Sequence, residues 1–210
     1  MNDERQQILG RVRSALAGLP SRAALPDWDQ EWVRLLHAQP STNHEQRWNE
    51  FAIRLRGVNG IAFTELAELV GYLDQHGWSK GYCDPALWPT LQLAFPSKFQ
   101  VETTFDRTRV DDYDFGITRA TAGIAETGTL ILSDRDTTTR LGALAPWVHV
   151  AVIDPSTIFA DLSSALAAMP DDPNIVWVTG PSKTADVEGI LIEGVHGPGA
   201  QVALRLARLE

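Results

Sequence analysis

A chain of 210 residues, 44% hydrophobic and 21% charged, suits one globular domain with a modest extension and enough apolar side chains for a sizeable core. Its formal net charge of −9 excludes broad, charge-driven nucleic-acid binding, which needs a dense Lys/Arg surface.

The N-terminus, Met1-Asn2-Asp3-Glu4-Arg5, lacks the basic start and apolar core of a secretory signal. No apolar run approaches the ~20 residues that cross a bilayer. A cytoplasmic protein without a membrane span is expected. Residues 3–18 read as an amphipathic helix, with Ile8, Leu9, Val12, Ala15, Leu16 and Leu19 at helical spacing. Such a helix suits docking on its own domain or on a neighbour, with a membrane-surface helix as the alternative. Pro20, Pro26 and Pro40 punctuate a connector that carries Trp28 and Trp32. Residues 1–43 are therefore expected as an N-terminal extension, with self-association or partner docking in view.

From residue 44 helices and strands alternate. His44 to Leu55 places Trp48, Phe51, Ala52 and Leu55 on one face. Thr64 is the expected cap of a second helix with a stripe of Leu66, Leu69, Val70 and Leu73, and Gly77 suits its exit. Tyr82-Cys83 reads as a short strand, and Asp84-Pro85 as the start of a helix through Leu93. Cys83 is the only cysteine. Alone it makes no internal disulfide and cannot supply the several thiolates of an iron–sulfur cluster, so a reducing compartment is expected.

The second half is richer in strands: 115–118, 124–127, 129–133 and 148–153 are short, apolar and β-branched or aromatic. Asp154-Pro155 is read as opening a helix that buries Ile158, Phe159, Leu162, Ala165 and Leu166. Ile175-Val176-Trp177-Val178 looks like a strand buried on both faces, and Val202, Leu204 and Leu206 like an edge or closing strand. The alternation predicts an α/β domain over 44–210, an open sheet with helices on both faces.

Three segments could carry chemistry. In the first, Glu126 precedes Thr127-Gly128-Thr129 at a strand end, where a carboxylate serves as base, nucleophile or ligand clamp. Equally, it bonds nearby backbone amides or pairs with Arg119, Arg135 or Arg140. In the second, Gly180-Pro181-Ser182-Lys183-Thr184, with Asp186 beyond, reads as strand, turn and helix start, which exposes amides and hydroxyls to an anion. It lacks the spacing of a P-loop, and a plain capped helix is the alternative. Lys183 is one of three lysines beside fifteen arginines. In the third, His196 lies in Gly194-Val195-His196-Gly197-Pro198-Gly199, as acid–base group, anion contact or structural residue. No metal site is expected, because no close His/Cys pair exists. Thr137-Thr138-Thr139-Arg140 reads as a polar loop placed to close over the site.

The run Gly116-Ile117-Thr118-Arg119-Ala120 to Ala125-Glu126-Thr127-Gly128-Thr129-Leu130, then Pro146, His149-Val150 and Asp154, is similar to the lactate-utilisation (LUD) domain family. The segments 180–188 and 194–198 extend the likeness, which is greatest to the family's lactate utilisation protein C subgroup. The resemblance implies a Rossmann-like α/β fold related to the ribose-phosphate isomerase and CoA-transferase group. It also implies a part in bacterial oxidation of L-lactate to pyruvate, with iron–sulfur clusters on partner proteins and no cofactor in this chain. Two functions follow. One is a non-redox component of that system, whose glycine-rich segments hold a small carboxylate or other anion. The other is an autonomous acyl- or CoA-transfer enzyme with Glu126 as nucleophile, since CoA transferases of the related fold also place glycine close after a glutamate.

Overall fold

A computed structural model of the chain describes residues 2–18, 43–137, 139–169, 172, 174–185 and 190–206. The chain divides into two compact units, residues 1–39 and 40–210. In the first, helix α1 (Asn2–Leu16) leaves Ile8, Val12 and Leu16 exposed; Leu19, Trp28 and Trp32 lie outside the described residues.

The second unit opens with helix α2 (His44–Gly57). The Asn43 side chain accepts from the Glu45 amide at 2.9 Å, the expected chemistry of an N-cap. The predicted face is the buried one: Trp48, Phe51, Ala52 and Leu55 are at most 4% exposed, and each large apolar side chain buried this way contributes about 1.5–3 kcal/mol. Strand β1 (Ile61–Phe63) follows, then helix α3 (Leu66–Gln75). Its cap is Glu65 rather than Thr64, because the Glu68 carboxylate reaches back to the Thr64 and Glu65 amides at 3.1 and 3.0 Å. Strand β2 (Lys80–Cys83), helix α4 (Trp88–Leu91), β3 (Gln100–Glu102), β4 (Phe115–Arg119), β5 (Ala122–Ile124), β6 (Thr129–Ser133), helix α5 (Arg140–Leu144) and β7 (Val148–Ile153) continue the chain. β8 (Ile158–Phe159), helix α6 (Leu162–Ala168), β9 (Ile175–Val178), β10 (Lys183–Thr184), β11 (Ile192–Glu193) and β12 (Ala200–Arg205) complete the described α-helices and strands, and 3-10 turns lie at Gln92–Ala94, Arg107–Asp112 and Pro155–Thr157.

The main sheet is parallel, in the order β1-β12-β7-β4-β2-β3. One face is covered by Leu69 and Leu73 of α3 with Leu87 and Leu91. The opposite face meets α2 and Ala143 of α5, together with Leu130, Leu132 and Ile158. Helices on both faces are therefore the architecture, as expected. The order reverses at β2, which has β3 on one side and β4 on the other, and such a switch is where open α/β sheets usually bind ligands, beyond the carboxyl ends of the strands.

Three expectations are overturned. β12 is no edge strand. It lies between β1 and β7 because Gln201 and Ala203 are buried as completely as Val202 and Leu204, and a small or polar residue at those positions disguised a strand covered on both faces. The strand-rich half also builds a second sheet, β8-β5-β6-β9. There Ile175–Val178 is an edge, with Trp177 37% exposed. Finally, Asp154-Pro155 opens a short 3-10 turn, not a helix. Ile158 and Phe159 pair with Gly123 and Ile124 as a strand, and of the expected inward residues that do lie in a helix, Leu162, Ala165 and Leu166, only Ala165 is buried.

Candidate functional site

The segments 126–129 and 179–184 meet at the C-terminal end of α2. The turn at 125–128 closes on a bond from the Gly128 amide to the Ile124 carbonyl, 2.9 Å. Gly128 has φ +68°, and a Cβ there would stand 2.3 Å from the Leu55 nitrogen. Gly180 has φ +79°, and a Cβ there would stand 2.6 Å from the Val58 carbonyl oxygen. Both glycines let a turn lie against helix backbone. Hydroxyls join the segments: Thr127 Oγ1 to Thr129 Oγ1 is 2.6 Å, and Thr129 Oγ1 to Thr179 Oγ1 is 2.8 Å.

Lys183 donates from Nζ to the Val58 carbonyl at 2.7 Å and lies 3.7 Å from Glu193. A cation bonded to the carbonyls at a helix C-terminus complements the helix dipole. Lys183 and Thr184 are no helix start: they pair antiparallel with Glu193 and Ile192 as a two-residue ribbon. The helix-N-terminus geometry expected to hold an anion is therefore missing at 182–184. Pro181 is buried, and Asp186 lies outside the described residues. Ser182 exchanges backbone bonds with the following loop, its amide to Pro198 O and its carbonyl from Gly194 N, both 2.9 Å. That loop is glycine-rich because it wraps Trp147: Cβ atoms at Gly194 and Gly199 would come within 2.5 and 2.3 Å of the indole. His196 is exposed on the loop.

Glu126 turns elsewhere. Its carboxylate accepts from the Leu162 amide at the start of α6, 3.3 Å, and its own amide donates to Ala160 O at 3.0 Å. Of the arginines expected beside it, Arg140 pairs with Asp134 at 2.9 Å. Arg119 ends β4, whereas Glu126 follows β5 on its way back toward the N-terminal edge of the main sheet.

The carboxyl ends of β4, β7 and β12 frame a different cavity, of about 210 Å³. Arg119, Ala120, Thr121, Asp136, Val152, Asp154, Thr157 and Leu206 line it. The loop after β6 is fastened beside it by buried Thr137, whose Oγ1 donates to the Arg119 carbonyl at 3.0 Å; Thr138 lies outside the described residues. Along α5 runs a wider groove of about 600 Å³ with Arg107, Thr139 and Arg140. None of the cavity residues was singled out as a ligand contact from the sequence, although Arg119 and Asp154 each end or follow an apolar strand, the position where such sheets carry their sites.

Three buried polar side chains, on β4, β7 and β12, join across the main sheet. Thr118 Oγ1 lies 2.9 Å from His149 Nε2, and His149 Nδ1 lies 2.9 Å from Gln201 Oε1. The Gln201 amide nitrogen is turned to the His149 and Val202 carbonyls, so Nδ1 carries the proton and Nε2 accepts from Thr118. Burial pushes the His149 imidazole down to about 4, and the bond to Gln201 offsets part of that. Unfolded, the same imidazole takes up a proton near its ordinary value, so stability is lost as pH falls from about 6.5 toward 4 and is fully present above that window. The unfolding free energy of the native chain is expected to drop by about 2 kcal/mol more than that of His149→Gln between pH 7 and pH 5. An equal fall in unfolding free energy between pH 7 and pH 5 for the two chains, from denaturant titrations at each pH, would show that His149 takes up its proton as readily in the fold as in the unfolded chain.

Residues 79–203, more than half of the chain, match the family model of the LUD domain. The chain belongs to the LUD domain family. The matched stretch runs from β2 into β12 and takes in every cavity residue but Leu206, the buried Thr118, His149 and Gln201, and all of the glycine-rich segments. A lactate utilization protein C of Deinococcus radiodurans is 30% identical over 119 residues, 54% of this chain and 55% of that protein. Another, of an Exiguobacterium species, is 38% identical over 93 residues, 40% of each. The chain thus spans about half, or less, of the length of the curated relatives it matches. A crystal structure of a DUF162 family protein from Deinococcus radiodurans has a TM-score of 0.58 over 79% of this chain and 99% of that one, at 21% identity, and so shares the fold. Among the described residues no three His, Cys, Asp or Glu side chains of the LUD chain are grouped to hold a metal ion, and no helix is long and apolar enough to cross a membrane.

Proposed function

We propose that this LUD domain chain is a component of lactate utilisation, serving the oxidation of L-lactate to pyruvate beside separate iron–sulfur proteins, with the binding of a small carboxylate as its own part. The observation that carries this reading is the 30–38% identity to proteins named lactate utilization protein C. The division of labour rests on the thiols. The sole cysteine, Cys83, is buried at the end of β2, and burial, then the neighbouring Asp84 charge, push its thiol up to about 12. One protonated thiol does not ligate a cluster that needs several thiolates, and on this reading the clusters sit on the partners.

Deleting the gene in a host with no other lactate dehydrogenase is expected to abolish growth on L-lactate as sole carbon source while growth on pyruvate continues. The intact gene supplied in trans should restore it. Undiminished growth of the deletion strain on L-lactate would end the reading.

A further inference from the structure

Arg119 and Asp136 line the same cavity at the carboxyl edge of the main sheet. Among the described residues neither side chain makes a hydrogen bond or an ion pair, whereas nearby Arg140 is paired with Asp134. Opposite charges sharing one small cavity without closing on each other leave room for a molecule that offers an acceptor to one and a donor to the other. The other groups in the cavity narrow its chemistry. Ala120, Val152 and Leu206 supply apolar wall, and Asp154 adds a second carboxylate, held by the Ser156 amide at 2.8 Å. Thr121 Oγ1 accepts from the Ser133 amide at 3.0 Å, which leaves its hydroxyl hydrogen to donate. The volume, about 210 Å³, is below the range of drug-sized pockets and suits a short acid.

We propose that this cavity binds a short 2-hydroxy monocarboxylate, with its carboxylate on Arg119, its 2-hydroxyl donating to Asp136 and its alkyl end against Val152 and Leu206. The assignment rests on the lactate-utilisation reading and gives that reading a site. A guanidinium matches a carboxylate bidentately. The carboxylate of Asp136 accepts a hydroxyl proton but meets a 2-oxo oxygen with two lone-pair acceptors and no donor, so hydroxy acid is favoured over oxo acid. Dicarboxylates and phosphate esters are disfavoured by the two aspartates.

Titration calorimetry of the purified full chain with L-lactate, pyruvate and propionate tests this, with circular dichroism and thermal unfolding confirming that each variant folds. L-lactate is expected to bind saturably and about tenfold or more tightly than pyruvate or propionate. Arg119→Gln is expected to weaken lactate at least about tenfold, and Asp136→Asn to erase the preference for lactate over propionate. Lys183→Met, at the other edge of the sheet, should leave lactate binding intact. The cavity assignment is overturned if lactate does not bind the native chain, if Arg119→Gln binds it undiminished, if Lys183→Met loses it, or if propionate binds equally well. The deletion strain separates the two readings: lost growth on L-lactate with no binding at Arg119 removes only the cavity assignment, whereas undiminished growth removes the lactate-utilisation reading whatever the calorimeter records.

Discussion

Gly116→Ala is expected to destabilise the domain by about 4 kcal/mol, because the new methyl has no space to enter. Gly116 lies in β4 beside His149 of β7, under α5. A Cβ there would stand 1.7 Å from the Gly142 carbonyl oxygen and 3.2 Å from Pro146 Cγ. The overlapping atom is helix backbone, so no rotamer change relieves it and α5 must lift from the sheet. Gly142 is itself confined, since a Cβ on it would meet the Tyr82 ring at 2.5 Å. Two glycines thus set the distance between helix and sheet. The measurement is denaturant unfolding of the native and variant chains. Gly71→Ala is the control: Gly71 is inside α3 with nothing within 4 Å of an added Cβ, and that change should add about 0.5–1 kcal/mol through helix propensity. A loss below about 1 kcal/mol in Gly116→Ala would mean that α5 rides loosely on β4.

Gly128→Ala is expected to cost about 3–4 kcal/mol, from two separable sources. The positive φ of 68° costs a residue with Cβ about 1–2 kcal/mol, and the 2.3 Å approach to the Leu55 nitrogen adds an overlap with helix backbone. Gly128→Asn separates them, because asparagine tolerates the left-handed conformation but still carries Cβ. It should recover under half of the loss. At Gly77, with φ +73° and open space around it, alanine should cost only about 1 kcal/mol and asparagine a few tenths. If Gly128→Asn proves as harmless as Gly77→Asn, the packing of this turn on α2 is not what holds glycine there. The comparison bears on function too: a turn that is glycine-rich for packing does not need a ligand to explain its composition.

Much of the fold was legible because its signals are local. The stripe of Trp48, Phe51 and Leu55 is visible at helical spacing, and the structure buries it. The exit of α3 at Gly77 and the strands read at 115–118, 129–133 and 148–153 were equally legible, the first running one residue further in the structure. The failures share a cause. Val202, Leu204 and Leu206 alternate like a strand with one wet face, yet Gln201 is buried because His149 and the backbone bond it, and Ala203 because it lies between Ala62 and Ala151 in the core cluster that α2 shares. Ile158 and Phe159 fit a helical stripe but become a strand because Gly123 and Ile124 offer an unpaired edge. Lys183-Thr184 resembled a helix start until Ile192-Glu193, several residues on, supplied a partner strand.

The sequence by itself determined the α/β alternation, the face of α2 that enters the core, the single thiol and, through its motifs, membership of the LUD domain family. Each follows from periodicity, composition or contiguous residues. Only the tertiary structure decided that Gly128 and Gly180 lie against α2, that Lys183 bonds the Val58 carbonyl, and that Arg119 and Asp136 share a cavity at the far edge of the sheet. Those facts depend on which strands become neighbours, and strand pairing is set by burial summed over the whole core, which no local stretch of residues encodes.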